Sequence, residues 1–155
     1  MTGLRKRKLV LDLYAGTATL GMIFSPFAEK VIAIELNPYA VFDAQANAQL
    51  NQIENIEIHK GDVAETLKVL KKNSVSFHPD LVVVDPPRTG LMPDAVEILI
   101  SLRPMEIAYI SCAPVEQARD CSLLIKAGYE IVSIQPVDQF PHTIHVENIV
   151  LLRLK

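Results

Sequence analysis

Asp80-Leu81-Val82-Val83-Val84-Asp85 is the stretch that most limits what this chain can become. Four apolar residues in a row leave no side of a strand free for water. Such a strand belongs in the interior of a parallel sheet with helices on both faces. The remaining sequence agrees, alternating short apolar runs with amphipathic stretches. Runs over 8–14, 31–36, 56–59, 106–111, 129–137 and 145–154 supply six further strands. A loop, 15–21, follows the first. Asn37 can cap a helix that begins at Pro38, turns Val41, Ala44 and Ala48 to one side and ends near Asn51. Gly61-Asp62 open a second helix, to about Leu70, and 73–79 form a loop. A third helix covers 94–102. A fourth starts at Pro114 with Val115, Ala118, Ser122 and Ile125 on one side, and Gly128 closes it.

Composition keeps the architecture simple. Half of the 155 residues are apolar, which suits one domain that buries roughly 70% of its unfolded surface without staples. Cys112 and Cys121 are the only cysteines, so no disulfide scaffold is expected and a reducing cytoplasm is the natural setting. No apolar run approaches the ~20 residues that cross a bilayer, so no membrane role is expected. The basic start, Arg5-Lys6-Arg7-Lys8, has no signal-peptide core behind it and reads as a solvated terminus. A net charge of −3 is a weak footprint for gripping a phosphate backbone. Any nucleic acid would be held mostly by residues outside this chain.

Open doubly wound sheets bind ligands at the carboxyl ends of their strands. After the first strand comes a turn of small residues, Asp12 to Ala18, that lets a ligand approach the backbone; Asp12, Tyr14 and Gly16 are its candidate contacts. It is not a dinucleotide turn, because Ala18 stands where GxGxxG has its second glycine. Glu35 ends the second run 19 residues after Gly16. An acid there can take a ribose's two hydroxyls, or simply be a strand-end charge. Asp62 can accept from an adenine amine or cap the helix that follows it. The absence of a glycine-rich phosphate cradle favours a nucleoside cofactor without pyrophosphate, a description that S-adenosylmethionine fits.

Asp85-Pro86-Pro87-Arg88 ends the fourth strand. The prolines stiffen the backbone so that Asp85 projects into the crevice, towards a base edge or a cofactor. Arg88 can position a phosphate or form a structural ion pair. Ser111-Cys112-Ala113-Pro114 ends the fifth strand and opens a helix. A thiol at a helix N-terminus is biased towards thiolate, the setting a cysteine nucleophile needs. The alternative is a small buried hydrophobe, which is the reading Cys121 receives. His142 and His145 stand three apart before the last strand, but no carboxylate or cysteine cluster accompanies them, and no metal is expected.

Taken together, DLYAG, DPPRTGL, SCAP and DQFPHTIHVE resemble the bacterial RNA 5-methyluridine methyltransferases over nearly the whole chain. The resemblance implies a Rossmann-like class I S-adenosylmethionine-dependent methyltransferase domain, with a seven-stranded sheet whose last strand is antiparallel. Glu147, at the start of that strand, would then share the rim with the other strands' ends. It would be a base there, or else cap a loop amide. Implied too are a Cys112 adduct at uracil C6, Asp85 holding the uracil edge and Glu147 removing the C5 proton. FPHTIHVE is closer to the large-subunit ribosomal RNA enzymes than to the transfer RNA ones, so ribosomal RNA is the expected substrate. Three departures stand out. Ala113 replaces the Asn of the usual SCNP, and Ala15 and Ala18 replace Cys and Gly in the first turn. The relatives also carry a small β-barrel RNA-binding domain and a further region ahead of the first strand, so 1–155 would be the catalytic domain alone. Two other readings stay open: an amino-group methyltransferase that uses Asp85-Pro86-Pro87, and a cofactor-binding module without catalysis.

Overall fold

The computed structural model describes residues 6–73, 77–139, 141–144 and 146–155. Arg5, Phe140 and His145 therefore lie outside the described residues, and with them the His142/His145 pair as a unit. The apolar run becomes β4 (Leu81–Val84), whose side chains are at most 1% exposed. Around it the chain sets β1 (Arg7–Leu13), β2 (Ala28–Glu35), β3 (Ile56–Lys60), β5 (Glu106–Ser111), β6 (Tyr129–Val137) and β7 (Glu147–Leu154) in one sheet. The order is β3-β2-β1-β4-β5-β7-β6. Strands β1 to β5 run parallel, while β7 is antiparallel to both β5 and β6. This is the seven-stranded arrangement the resemblance implies.

Helices fill both faces. Leu11, Leu13, Val82, Val84, Ile107 and Tyr109 pack on one side with residues of α3 (Val63–Asn73), α4 (Pro93–Leu102) and α5 (Pro114–Lys126). Val10, Val31, Leu81 and Val83 point to the other side, beneath α1 (Thr19–Phe24). There Ala18 and Ala33 pack against Ala44 of α2 (Pro38–Leu50). The expected cap is present: the Asn37 side chain accepts from the Tyr39 N–H at 2.9 Å, and Val41, Ala44 and Ala48 are the buried residues of α2.

Four details differ from the sequence reading. Helix α1 begins inside the stretch taken as a loop, and Tyr14 leaves β1 in the left-handed region (φ 61). Helix α3 runs on to Asn73, where Lys71 and Lys72 suit its negative end and Lys71 Nζ reaches Ser101 on α4. Arg7 is no solvated tail residue, because it sits on β1 and pairs with Glu106 at 2.7 Å. Most consequential is α5. Its Val115, Ala118, Ser122 and Ile125 side is exposed, and the buried side is Gln117, Asp120, Cys121 and Leu124. Apolarity alone chose the wrong face, because two buried polar side chains find partners inside.

Candidate active site

The carboxyl ends of β1 to β3 form the first half of the rim, and every carboxylate there is tied to backbone N–H. Asp12, 1% exposed, accepts from Gly21 N of α1 at 2.8 Å. Glu35 uses both oxygens, taking Gly16 N at 2.8 Å and Asn37 N at 2.7 Å. Asp62 caps α3 by accepting from Glu65 N at 3.0 Å. The local reason is conformational. Tyr14, Gly16 and Ala18 all have positive φ (61, 54 and 60), so the turn folds its N–H groups towards Glu35 instead of onwards into a helix. Gly21 allows α1 to lie against β1, since a Cβ there would stand 3.0 Å from Asp12 Oδ2 and 3.2 Å from Val31.

The three sequence candidates therefore differ in what they still offer. Asp12 is beneath the loop and braces it. Burial, chiefly, pushes its carboxyl up from the ordinary 3.8 to about 7, with Asp85 and Glu35 adding repulsion. Glu35 is half-buried, and each oxygen keeps acceptor capacity for a hydroxyl. Asp62 is exposed, so the capping reading holds while its second oxygen stays open. The Tyr14 hydroxyl is raised to about 12, first by burial and then by the field of Asp62, Asp94 and Asp120.

The second half of the rim is built from β4, β5 and β7. In the antiparallel register the last pair of β5 and β7 is Ser111 with Asn148, and Cys112 and Glu147 are their neighbours in the chain. Asp85, exposed at the end of β4, is raised in pKa by partial burial and then by the charge of Glu147. Cys112 and Glu147 are half-buried and Arg88 is exposed. Among the described residues no hydrogen bond or ion pair occupies the side chains of Asp85, Arg88, Cys112 or Glu147. Cys121, by contrast, is a packed core thiol that burial lifts to about 11.

What holds this half in place lies behind it, and apolar periodicity gave no sign of it. Asp120, 1% exposed, accepts from Leu91 N and from Tyr109 Oη, each at 2.7 Å. Arg119 pairs with it at 2.7 Å and donates to Thr89 O at 3.1 Å. The loop from Asp85 to Leu91 is thus laced to α5. Gly90 (φ 76) is required at the crossing, where a Cβ would come within 2.6 Å of Asp120 Oδ2. Spacing could have revealed this network: Gln117, Asp120/Cys121 and Leu124 stand at i, i+3/i+4 and i+7.

A seven-stranded sheet of this order, with β7 antiparallel, is that of a class I methyltransferase domain. Residues 2–155 match the family described as tRNA (Uracil-5-)-methyltransferase, and the chain belongs to that family. Among curated relatives, an uncharacterised RNA methyltransferase of Caldanaerobacter subterraneus subsp. tengcongensis is 46% identical over 145 residues, which are 94% of this chain and 31% of that protein. One of Bacteroides thetaiotaomicron is 43% identical, over 99% of this chain and 33% of its own length. The chain thus spans about a third of the curated relatives it matches. Among solved structures, the Pyrococcus abyssi tRNA (uracil-54, C5)-methyltransferase, in complex with S-adenosyl-L-homocysteine, superposes with a TM-score of 0.80 at 33% identity. That match covers 96% of this chain and 35% of the other. An rRNA methylase of Streptococcus thermophilus shares the fold alone (TM-score 0.75, 14% identity).

Proposed function

We propose that the chain is the catalytic part of an S-adenosylmethionine-dependent enzyme that methylates uracil C5 in RNA through a Cys112 adduct. The antiparallel register carries the proposal: it pairs Ser111 with Asn148, the chain neighbours of Cys112 and Glu147, which supports a thiol and a carboxylate working on one base. The first half of the rim fits the cofactor: its carboxylates Glu35 and Asp62 suit hydroxyls, an amine and a cationic sulfonium, and would repel a pyrophosphate. When bound, that cofactor supplies an electrophilic methyl group. Uracil C5 is a poor nucleophile until something adds at C6. The Cys112 thiolate forms the C6–S bond, and the C5=C6 electrons move to the O4 enolate. C5 then takes the methyl. Glu147 removes the C5 proton, the electrons restore C5=C6, and the C6–S bond breaks to free the thiolate. Asp85 holds the uracil edge, and Arg88, unpaired among the described residues, takes a phosphate. The base must leave its stack to reach this rim.

The acidic net charge of −3 supports RNA being gripped mainly by parts outside these residues. The substrate RNA has two readings. FPHTIHVE favours ribosomal RNA; the 33% identity to a tRNA (uracil-54) enzyme favours transfer RNA. The test is to incubate the intact protein and cofactor with each RNA carrying 5-fluorouridine. Fluorine cannot leave as a proton does, so a complex stable in denaturant should accumulate on the true substrate. No complex on either RNA overturns the covalent mechanism. An amino-group methyltransferase would instead methylate an exocyclic amine and keep its rate with Cys112→Ser.

A further inference from the structure

Behind the rim, one buried side chain joins the two catalytic strands. Gln117 lies on α5 one turn after Cys112 and is 1% exposed. Its Nε2 donates to Tyr109 O of β5 at 2.8 Å and to Asn148 O of β7 at 3.1 Å. Its Oε1 accepts from Asn148 Nδ2 at 2.6 Å. The amide thus uses both donors and its acceptor, and it bridges the two strands beside the point where Ser111 pairs with Asn148. Asn148 follows Glu147 directly. On β6 its partner is Pro136, which has no backbone N–H to give.

We propose that Gln117 is a positioning residue for the uracil reaction, setting the separation between Cys112 and the Glu147 carboxylate. The inference rests on the nucleophile and base roles proposed above. Helix α5 has no side-chain cap from Ala113 itself, and Ser111 Oγ, which accepts from Ala113 N at 3.0 Å and donates to Ala113 O at 3.3 Å, holds its start to β5 alone. The start of β7 follows residues 141–144, which are exposed. The Gln117 amide ties both to one point. Addition at C6 needs Cys112 and the base alone, whereas release needs Glu147 at C5 while Cys112 is still bonded at C6. Loosening the clamp therefore slows release far more than addition.

The experiment compares Gln117→Leu, Gln117→Glu, Glu147→Gln and Cys112→Ala in the intact protein on ordinary substrate RNA. It follows tritium release from C5-labelled uridine, denaturant-stable complex and thermal melting. Gln117→Leu should lower kcat about 100-fold, as a misplacement near 1 Å does, with KM for RNA and cofactor little changed. It should also accumulate the methylated Cys112 adduct, as Glu147→Gln does. Gln117→Glu keeps the acceptor for Asn148 Nδ2 but turns an oxygen onto Tyr109 O and Asn148 O inside the fold, so it should slow release at least as much as Gln117→Leu. A wild-type kcat in Gln117→Leu overturns the inference, and so does a slow variant without adduct, whether or not it melts early. Retained activity in Cys112→Ala instead sinks the underlying mechanism. Adduct in Glu147→Gln but not in Gln117→Leu sinks the clamp alone.

Discussion

The two halves of the rim solve opposite problems with the same residue type. At β1 to β3, the carboxylates of Asp12, Glu35 and Asp62 are each tied to backbone N–H groups within their own neighbourhood. At β4, β5 and β7, Asp85 and Glu147 have no partner among the described residues and lie close enough for one charge to raise the other's pKa. A half that recognises a cofactor gains from acceptors fixed in advance, because ordering them on binding would cost affinity. In the proposed reaction the other half needs free lone pairs and a free thiol, which agrees with its being held from behind by Asp120 and Gln117. The difference teaches that rigidity here comes from the ligand-facing atoms in one half and from their supports in the other.

The comparison breaks most visibly at Cys112. Cys112→Ser should reduce uracil methylation on the order of 10⁴-fold or more, as loss of a covalent nucleophile does. Cofactor affinity should stay within measurement error, because among the described residues the Cys112 side chain has no hydrogen bond to the first half of the rim. Turnover assays beside calorimetric titration of cofactor check both. A large loss of cofactor affinity would show that the halves are one unit.

Asp12 tests the cofactor half through pH. Its carboxyl sits near 7 in the fold against 3.8 ordinarily, so between those values the folded state holds a proton that the unfolded chain has lost. Stability from this group is therefore fully present below about pH 4 and is lost as pH rises through 7, by roughly 4 kcal/mol in total. Asp12→Asn keeps an acceptor for Gly21 N and cannot titrate. Denaturant midpoints measured from pH 4 to pH 8 should fall more steeply in the parent than in the variant. Equal slopes would mean that Asp12 is ionised throughout.

Glu35 gives a smaller effect. Glu35→Gln keeps one acceptor where Gly16 N and Asn37 N need two. Losing a charged hydrogen bond costs about 1.5–3 kcal/mol, so cofactor should bind about ten- to hundred-fold more weakly, with kcat preserved at saturation. A fall in kcat at saturating cofactor would extend Glu35's influence into the other half.

How much of this was legible in the sequence follows the same division. Gly16 and Glu35 stand 19 residues apart within one strand–turn–strand unit, and the Asn37 and Asp62 caps are local, so spacing could locate them. The proposed meeting of Cys112 with Glu147 depends on β7 inserting antiparallel between β5 and β6. No local pattern encodes that insertion, and it entered through resemblance. The α5 face was misread because Gln117 and Asp120 are polar by composition, while their burial depends on Leu91 and Asn148, 29 and 31 residues away in the chain, and on Tyr109, 8 and 11 residues away.

The smallest effects come from two alanines, one in each half. Ala18 holds φ 60, a region that costs an L-residue about 1–2 kcal/mol, yet its methyl is fully buried and worth about 0.8 kcal/mol. Ala18→Gly should therefore change stability by no more than about 1 kcal/mol, as relief of strain and loss of packing oppose each other. Ala113 has no such compensation. It stands at the N-cap of α5 with φ −127, and no side chain there takes a helix N–H. An amide oxygen introduced by Ala113→Asn can accept from the first turn and should add about 1 kcal/mol, near 2–4 °C in melting temperature for a chain this size. If stabilising the start of α5 also speeds turnover while Ala18→Gly leaves it alone, the reacting half is the one short of support. If both variants leave turnover unchanged, the buried face of α5 already fixes Cys112 and the missing cap is a matter of stability alone.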